Sequence, residues 1–303
     1  MNKEVPATAV KAVLFCLLPV LLLAACQATA EPLPFAPSAT LVPVSTVIPI
    51  STPEPRPTAT AAACRETRGR LETQELVPGL APYPIPVQVY LPPCYDPLDG
   101  TYPVLYLLHG QSDTADLWLR MGIQSLADDL ITSGQIAPFV IVLPTEPYYL
   151  QDFTDSIYGQ AFVTDLLPWV EGLYAVSTER SCRAIGGISR GAAWAALLGM
   201  ENWQQFGAIG AHSVPNAPYS ESRLRYLLED IPPGNLPRVW LDSGNLDRYR
   251  KSAQAFDELL TRRGVDHEWH LNEGAHEEAY WQAHLEDYLR WYTAPWGECV
   301  KAP

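Results

Sequence analysis

The apolar positions between residues 67 and 292 predict strands that alternate with helices. Two opening segments, 67–77 and 84–92, predict a hairpin of strands joined by a Pro/Gly turn. The run "YPVLYLLHG" (102–110) is almost continuously apolar, which is typical of a strand buried on both faces. The remaining predicted elements follow in turn: a helix at 122–133, the strand "FVIVLP", a helix at 159–174, the strand ending in "CRAIGG", a helix from 190, the strand "FGAIGAHS", a helix near 222–229, the strand "RVWLDSG", a helix at 250–263, the strand "DHEWHLNEG" and a last helix at 276–292. Such alternation predicts an α/β fold with a mostly parallel central sheet and helices on both faces.

The first 63 residues do not share this pattern. In residues 1–25, two lysines precede an apolar run that is short for a transmembrane span, as in a secretory signal peptide. The run ends in "LAAC", which resembles the lipobox of bacterial lipoproteins and predicts a lipid on Cys26; an ordinary signal peptide with a chance cysteine is the alternative. Residues 26–63 are rich in Pro, Thr and Ala with almost no charge, and predict a disordered tether. Residues 64–303 are left as one folded domain.

The net charge and the composition of the chain limit the kinds of partner and cofactor that we expect it to bind. The chain has 20 Lys and Arg residues against 34 Asp and Glu, a net charge of −14. Binding to nucleic acid needs the opposite sign, so we expect no nucleic-acid partner. No Cys/His spacing is typical of a metal site, and we expect neither a metal nor a cofactor.

Four cysteines lie in the predicted domain, Cys64, Cys94, Cys182 and Cys299. An even number in an exported chain favours two disulfides. Three pairings are open, of which we favour Cys64 with Cys94 and Cys182 with Cys299.

The pentapeptide at 187–191, "GISRG", has the form G-x-S-x-G and lies between a predicted strand and a predicted helix. In that context it predicts a sharp turn that raises the hydroxyl of Ser189 above the sheet. The serine needs a strained backbone, and a side chain on either flanking glycine would meet the strand or the helix. A small-residue turn without chemistry is the alternative interpretation.

A serine hydroxyl becomes a useful nucleophile when a base takes its proton. Of the six histidines, His276 alone lies in the loop after the last predicted strand, at the same sheet edge as Ser189. The imidazole needs an acid to fix its tautomer, and "VWLDSGNLDRYR" offers Asp242 at the strand end and Asp247 in the loop that follows. We favour Asp247, because it lies farther into the loop and has the reach to meet His276.

A tetrahedral intermediate also needs hydrogen-bond donors for its negative oxygen. One predicted donor is the amide of Arg190, directly after the serine, and the other is the amide of Gln111, after "YLLHG". Three aromatic residues, Trp118, Tyr148 and Tyr149, are candidates for the lining of a substrate pocket.

Five ordered motifs resemble one family of α/β-hydrolases. They are "VYLPPCYDP", "YPVLYLLHGQSDTADLW", "YGQAFVTDLLPWVEGLY", "RAIGGISRGAAWAALLG" and "GAHEEAYWQAHLEDYLRWY", and they span essentially residues 84–292. The family includes esterase D, feruloyl esterases, enterochelin esterases and the antigen 85 mycolyltransferases. The resemblance implies the α/β-hydrolase fold without a large cap domain, with Ser189 as nucleophile, Asp247 as acid, His276 as base, and Gln111 and Arg190 as oxyanion amides.

These patterns predict a serine carboxylic ester hydrolase that works through an acyl-enzyme. We expect it to be tethered by a lipid on Cys26 at the outer face of a bacterial membrane and to act on small-molecule or polysaccharide-linked esters. An acyltransferase of the same fold and a non-catalytic binding protein on a hydrolase scaffold are the alternatives.

Overall fold

The computed structural model describes residues 64–79, 81–147, 149–153, 155–215 and 220–299. These residues belong to the compact unit Ala61–Pro303. The predicted signal peptide, the lipid site at Cys26 and the predicted tether lie outside the described residues, as does Tyr148. Within the described part of the chain, no helix is both long and apolar enough to cross a membrane.

A single sheet of eight strands runs through the described domain. The strands are β1 (Arg70–Leu76), β2 (Ile85–Leu91), β3 (Val104–Leu108), β4 (Val140–Pro144), β5 (Arg183–Ile188), β6 (Ala208–His212), β7 (Arg238–Gly244) and β8 (Glu268–Asn272). Their order across the sheet is β1-β2-β4-β3-β5-β6-β7-β8. The opening hairpin of β1 and β2 is antiparallel, β2 pairs antiparallel with β4, and every later pair is parallel. The predicted mostly parallel sheet is therefore confirmed.

Helices connect the strands on both sides of this sheet. They are α1 (Asp116–Arg120), α2 (Ile123–Thr132), α3 (Tyr158–Ala161), α4 (Leu167–Leu173), α5 (Arg190–Glu201), α6 (Glu221–Asp230), α7 (Arg250–Arg262), α8 (Glu278–Ala283) and α9 (Leu285–Thr293). Short 3-10 turns add Arg180–Cys182 and Trp296–Glu298.

Two hydrophobic cores lie on opposite faces of the sheet. In β3, Val104, Tyr106 and Leu108 belong to one core, whereas Leu105 and Leu107 belong to the other. Successive side chains of a strand point to opposite faces, so a strand that contributes to both cores must be apolar throughout. Residues from α3 to α7 pack in the first core, and residues from α1, α2, α8 and α9 pack in the second.

Two predicted helices are each interrupted. The segment predicted as one helix at 159–174 has a π-helical turn, Phe162–Leu166, between α3 and α4. Pro168 follows it at the start of α4; because proline has no N–H to donate to the preceding turn, a wider turn is tolerated there. The predicted last helix begins later than expected, at Glu278, and breaks at His284 between α8 and α9.

Two disulfides join the four cysteines of the domain. Cys64 pairs with Cys94, and Cys182 pairs with Cys299, with a Cα–Cα distance of 5.7 Å in each. The favoured pairing of the three is confirmed. The second bridge fixes the chain near its C-terminal end to the beginning of β5.

Candidate active site

Ser189 lies at the carboxyl end of β5, in a turn that the sequence pattern predicts. Its φ of 56° and ψ of −119° fall outside the regions that residues with a side chain ordinarily adopt. The Ser189 N–H donates to the carbonyl of His212 on the neighbouring strand β6 (2.9 Å). Helix α5 starts at the next residue, so the serine stands at the point where strand becomes helix.

A side chain would have no room at either glycine of the pentapeptide. A Cβ on Gly187 would lie 2.3 Å from the Gly191 backbone. A Cβ on Gly191 would lie 2.5 Å from the carbonyl oxygens of Leu108 and His109, at the end of β3. Both contacts are with backbone atoms, which cannot rotate away. The steric reason predicted for these glycines is therefore confirmed.

His276 lies between Ser189 and Asp247, in the loop that follows β8. Its Nδ1 is 2.9 Å from Oδ2 of Asp247, and its Nε2 is 2.9 Å from Oγ of Ser189. A carboxylate accepts hydrogen bonds, so Nδ1 carries the ring proton and Nε2 is left to accept the serine O–H. Two aromatic rings contact the imidazole in T-shaped arrangements. The ring centroids are 4.9 Å apart for Tyr249 and 5.1 Å apart for Trp281.

Asp247 is buried and accepts several hydrogen bonds. Besides His276, the amide of Tyr249 donates to Oδ1 (2.7 Å). Burial by itself raises the pKa of Asp247, but the donors from His276 and Tyr249 outweigh it, and the pKa lies below its usual value. The group is therefore a carboxylate that holds the imidazole in one tautomer.

Asp242, the other acid candidate, belongs to a different cluster. It is fully buried at the end of β7, and its Oδ2 lies 2.5 Å from Nδ1 of His212. Its remaining hydrogen bonds come from Trp240, Tyr280 and Tyr288. The geometry thus separates the two aspartates and places Asp247 beside His276.

The loop after β3 approaches the serine. The Glu146 N–H donates to Nε2 of His109 (2.8 Å), so Nδ1 of this buried imidazole carries the proton and donates to the Gly110 carbonyl (2.7 Å). Burial lowers the pKa of His109, which favours this neutral form. Gly110 lies against Ser189, because a Cβ on it would be 3.7 Å from the serine Cβ. The next residue, Gln111, lines the same cavity as Ser189; its amide as an oxyanion donor stays a prediction.

Arg190 combines a position beside the serine with a buried side chain. It is the first residue of α5, where an N–H has no partner within the helix and is free to meet an anion. Its guanidinium donates to both oxygens of Glu146 (2.8 and 2.7 Å) and to the Gln151 carbonyl (2.7 Å), and lies 4.6 Å from the Phe153 ring centroid. The side chain is thus engaged in the fold, and the amide is the group left for chemistry.

A cavity of about 270 Å³ opens above these residues. Its lining consists of Gly110, Gln111, Asp113, Ser189, Arg248, Tyr249, His276, Glu277, Glu278 and Trp281. Three acidic side chains line the cavity, and Arg120 compensates part of their charge. Its guanidinium lies 2.7 Å from the carboxylate of Glu278 and 3.3 Å from that of Asp113. The lining is mostly polar, with two aromatic rings beside the imidazole.

The structure treats two of the residues predicted to line the substrate pocket differently. The expectation for Trp118 is wrong: the ring is fully buried in the core behind the site, and its Nε1 donates to the Leu108 carbonyl (3.2 Å). Apolar spacing in α1 turns this residue toward the sheet. Tyr149 lies near Gln111, whose side chain donates to the Tyr149 carbonyl (3.4 Å); a pocket role for its ring stays a prediction.

Sequence reasoning missed four residues of this site. Tyr249 and Trp281 contact the imidazole, Ser213 accepts a hydrogen bond from the indole of Trp281, and Arg248 lines the cavity. Ser213 is the last residue of a predicted strand, at the sheet edge where site residues of parallel sheets lie, and this position was the available signal. The others carry no local signal, because their roles depend on how loops meet.

The sequence from 81 to 292 matches the family described as "Putative esterase", which is well over half of the chain. The chain belongs to this esterase family. Curated relatives include an endo-1,4-beta-xylanase/feruloyl esterase of Xylanibacter ruminicola, 28% identical over 65% of this chain and 28% of that protein. Esterase Rv1288 of Mycobacterium tuberculosis is 26% identical over 63% of this chain and 52% of its own length. The chain thus spans between about a quarter and a half of these relatives.

Solved structures of similar proteins establish the α/β-hydrolase fold. A ferulic acid esterase is 25% identical with a TM-score of 0.65, covering 75% of this chain and 99% of its own. A feruloyl esterase module from Clostridium thermocellum, solved with sinapinate, is 19% identical with a TM-score of 0.66, covering 75% of this chain and 88% of its own. The predicted fold class is confirmed.

Proposed function

We propose that this chain hydrolyses carboxylic esters through an acyl-enzyme formed on Ser189. The observation that carries the proposal is the continuous hydrogen-bond path from Oγ of Ser189 through the imidazole of His276 to the carboxylate of Asp247. Membership of an esterase family supports the same reaction class.

In the proposed first step, Nε2 of His276 takes the proton of Ser189 as Oγ attacks the ester carbonyl carbon. The carbonyl oxygen becomes negative, and the amides of Gln111 and Arg190 stabilise it. The intermediate collapses, the C–O bond to the alcohol breaks, and His276 gives its proton to the departing alkoxide. Asp247 stabilises the imidazolium that exists between the two proton transfers.

In the second step, a water molecule takes the place of the alcohol. His276 removes a proton from the water while the water oxygen attacks the acyl carbon, and it then gives this proton to Oγ of Ser189 as the acid leaves. One proton thus passes from Ser189 to the alcohol and one from water to Ser189, both through the same imidazole, so the site ends as it began with water as the one co-reactant.

For the substrate, we propose acyl esters of the hydroxycinnamate type as the first class to test. Three of the similar proteins carry the name feruloyl or ferulic acid esterase, and a further one, from Anaeromyces mucronatus, was solved with ferulic acid. The acid part of such an ester has a phenolic ring that can pack on aromatic side chains such as Tyr249 and Trp281 of the cavity wall.

The test measures kcat and KM of the purified full-length chain on p-nitrophenyl acetate and methyl ferulate. We expect Ser189→Ala to lower kcat by at least about 10³-fold on both, since a triad without its nucleophile keeps only residual catalysis. Ser243→Ala is the matched control, because Ser243 is also buried near the end of a parallel strand but its hydroxyl donates to the Gly244 carbonyl. Equal rates for wild type and Ser189→Ala would refute the proposed reaction. If only p-nitrophenyl acetate is hydrolysed, the substrate class is wrong and the reaction stands.

We further propose that the enzyme is exported and anchored by a lipid on Cys26 at the outer face of a bacterial membrane. The sequence of residues 1–26 supports this proposal. Cells fed a labelled fatty acid should label the wild-type chain and not the Cys26→Ala variant. Equal labelling of both would refute the anchor.

A further inference from the structure

Two loops run side by side before they reach the acid and the base of the site. One follows β7 and leads to Asp247, and the other follows β8 and leads to His276. The N–H of Asn245 donates to the Asn272 carbonyl (2.7 Å), so the parallel pairing of the two strands continues past the end of β7. The two loops therefore start from a fixed spacing.

Farther along, the two loops exchange a pair of hydrogen bonds. The N–H of Leu246 donates to the Gly274 carbonyl (2.8 Å), and the N–H of Gly274 donates to Oδ1 of the Asn245 side chain (3.2 Å). The backbone carbonyl of Asn245 accepts instead from the guanidinium of Arg250 (2.8 Å), so the side-chain carbonyl supplies the acceptor at this point. Among the residues that the structure describes, the Gly274 N–H has no other acceptor.

Gly274 is also held by close packing. A Cβ on Gly244 would overlap the Gly274 carbonyl oxygen, so the backbones of the two loops are in direct contact. A Cβ on Gly274 would lie 2.7 Å from the ring of Tyr280, whose hydroxyl donates to the buried carboxylate of Asp242 (2.9 Å). The loop after β8 is thus confined by backbone and core contacts, and Asn245 adds one side-chain contact from the neighbouring loop.

We propose that Asn245 is a positioning residue for the reaction, whose side chain sets the spacing between Asp247 and His276. Asn245 lies two residues before Asp247, and its partner Gly274 lies two residues before His276. The hydrogen bond between Asp247 and His276 (2.9 Å) depends on how these loops face each other, and a misplacement of about 1 Å is enough to slow a reaction. This inference rests on the proposed function. Asn245 does not line the described cavity, so its effect should fall on the chemical step and not on substrate binding.

The experiment measures kcat and KM of full-length wild type, Asn245→Ala and Asn245→Asp on p-nitrophenyl acetate. Rates are taken on the plateau of the pH profile, so that a change in the protonation of His276 does not enter. We expect kcat to fall about 10-fold in Asn245→Ala, with KM within about 2-fold of wild type, because the pair of Asp247 and His276 is then less well aligned. Asn245→Asp keeps an oxygen acceptor of the same reach for the Gly274 N–H, so its kcat should stay within about 2-fold of wild type.

A spectroscopic measurement separates alignment from a general loss of stability. The proton between Nδ1 of His276 and Oδ2 of Asp247 gives a downfield NMR signal, which we expect to shift or broaden in Asn245→Ala and to keep its position in Asn245→Asp. Asn202→Ala is the matched control, because the Asn202 side chain also bonds to a backbone group, the Leu198 carbonyl (2.9 Å), but at the C-terminal end of α5. This control should keep the wild-type kcat and signal.

Each outcome has a clear consequence. Wild-type kcat in Asn245→Ala would overturn the proposal. Equal losses in Asn245→Ala and Asn245→Asp would also overturn it, because the oxygen acceptor would then not be the cause, and so would a lower kcat with an unmoved NMR signal. Thermal melts identify a variant that does not fold; Asn245→Ser, whose side chain is one bond shorter and falls short of Gly274, then replaces Asn245→Ala with the same expectations. Retained activity in Ser189→Ala would instead remove the proposed function itself.

Discussion

At the scale of single residues, the site depends on backbone conformations that few residue types tolerate. Ser189 and Ser213 both have a φ of 56°, each directly after a central strand. Such strain costs of the order of 1–3 kcal/mol and persists where the surroundings enforce it. Here the neighbouring strands and Gly187 and Gly191 enforce it for Ser189. The strain at Ser189 therefore coincides with the hydroxyl that the reaction is proposed to use.

Gly191→Ala tests this steric requirement. The new methyl group would lie 2.5 Å from two carbonyl oxygens of the β3 end, so we expect a loss of more than about 3 kcal/mol in the free energy of unfolding, or failure to fold. Gly172→Ala is the control, because Gly172 lies in α4 with open space around its Cβ position, and alanine there should stabilise by up to about 1 kcal/mol. Urea titration measures both. Equal stability of the two variants would contradict the steric argument.

At the scale of elements, the loops after β3 and β4 are joined beneath the site. The His109 ring accepts a hydrogen bond from the Glu146 N–H. The Glu146 carboxylate forms a buried, bidentate salt bridge with Arg190 at the start of α5. Breaking one partner of such a pair leaves an uncompensated buried charge. These contacts hold the Gly110–Gln111 turn beside the serine, so the predicted oxyanion amides come from a shared framework.

His109 should make stability depend on pH. Burial lowers its pKa in the folded chain below the unfolded value of about 6.5, so the unfolded chain binds the proton first as the pH falls. The free energy of unfolding should therefore fall as pH drops below about 6.5, by up to about 1.4 kcal/mol per pH unit from this group. His109→Gln keeps an acceptor and a donor but does not titrate, so its loss between pH 7.5 and pH 5.5 should be smaller. Urea titrations at the two pH values measure the free energy of unfolding of both chains. If wild type and variant lose the same amount between pH 7.5 and pH 5.5, the pH dependence does not come from His109.

At the scale of the whole molecule, strand order brings the distant loops together. The strands β3, β5, β6, β7 and β8 are neighbours in the sheet, and all five run parallel. Their carboxyl ends consequently meet at one edge. Gln111, Ser189, Ser213, Asp247 and His276 each follow one of these strands. The two disulfides lie elsewhere and bear on stability.

The two disulfides should contribute unequally. The bridges close segments of 117 residues for Cys182–Cys299 and 30 residues for Cys64–Cys94. If a disulfide acts by lowering the entropy of the unfolded chain, Cys182–Cys299 should add about 5 kcal/mol to the free energy of unfolding and Cys64–Cys94 about 4 kcal/mol. The bridge that closes the longer loop therefore stabilises more, by about 1 kcal/mol. The paired variants Cys182→Ser with Cys299→Ser and Cys64→Ser with Cys94→Ser, compared by urea titration, check the order. A larger loss from removing the shorter loop would contradict it.

The sequence by itself determined the order of strands and helices, the raised Ser189 and the histidine in the last loop. These depend on local properties: apolar periodicity, glycine at positions without space, and the place of a residue just after a strand. It also favoured Asp247 over Asp242, but the histidine that each aspartate contacts lies 29 or more positions away. Only the tertiary structure decided that Trp118 is core, that Trp281 donates to Ser213, and that Tyr249 and Trp281 contact the imidazole. Those relations arise where loops from different strands pack together, and no spacing within one segment encodes them.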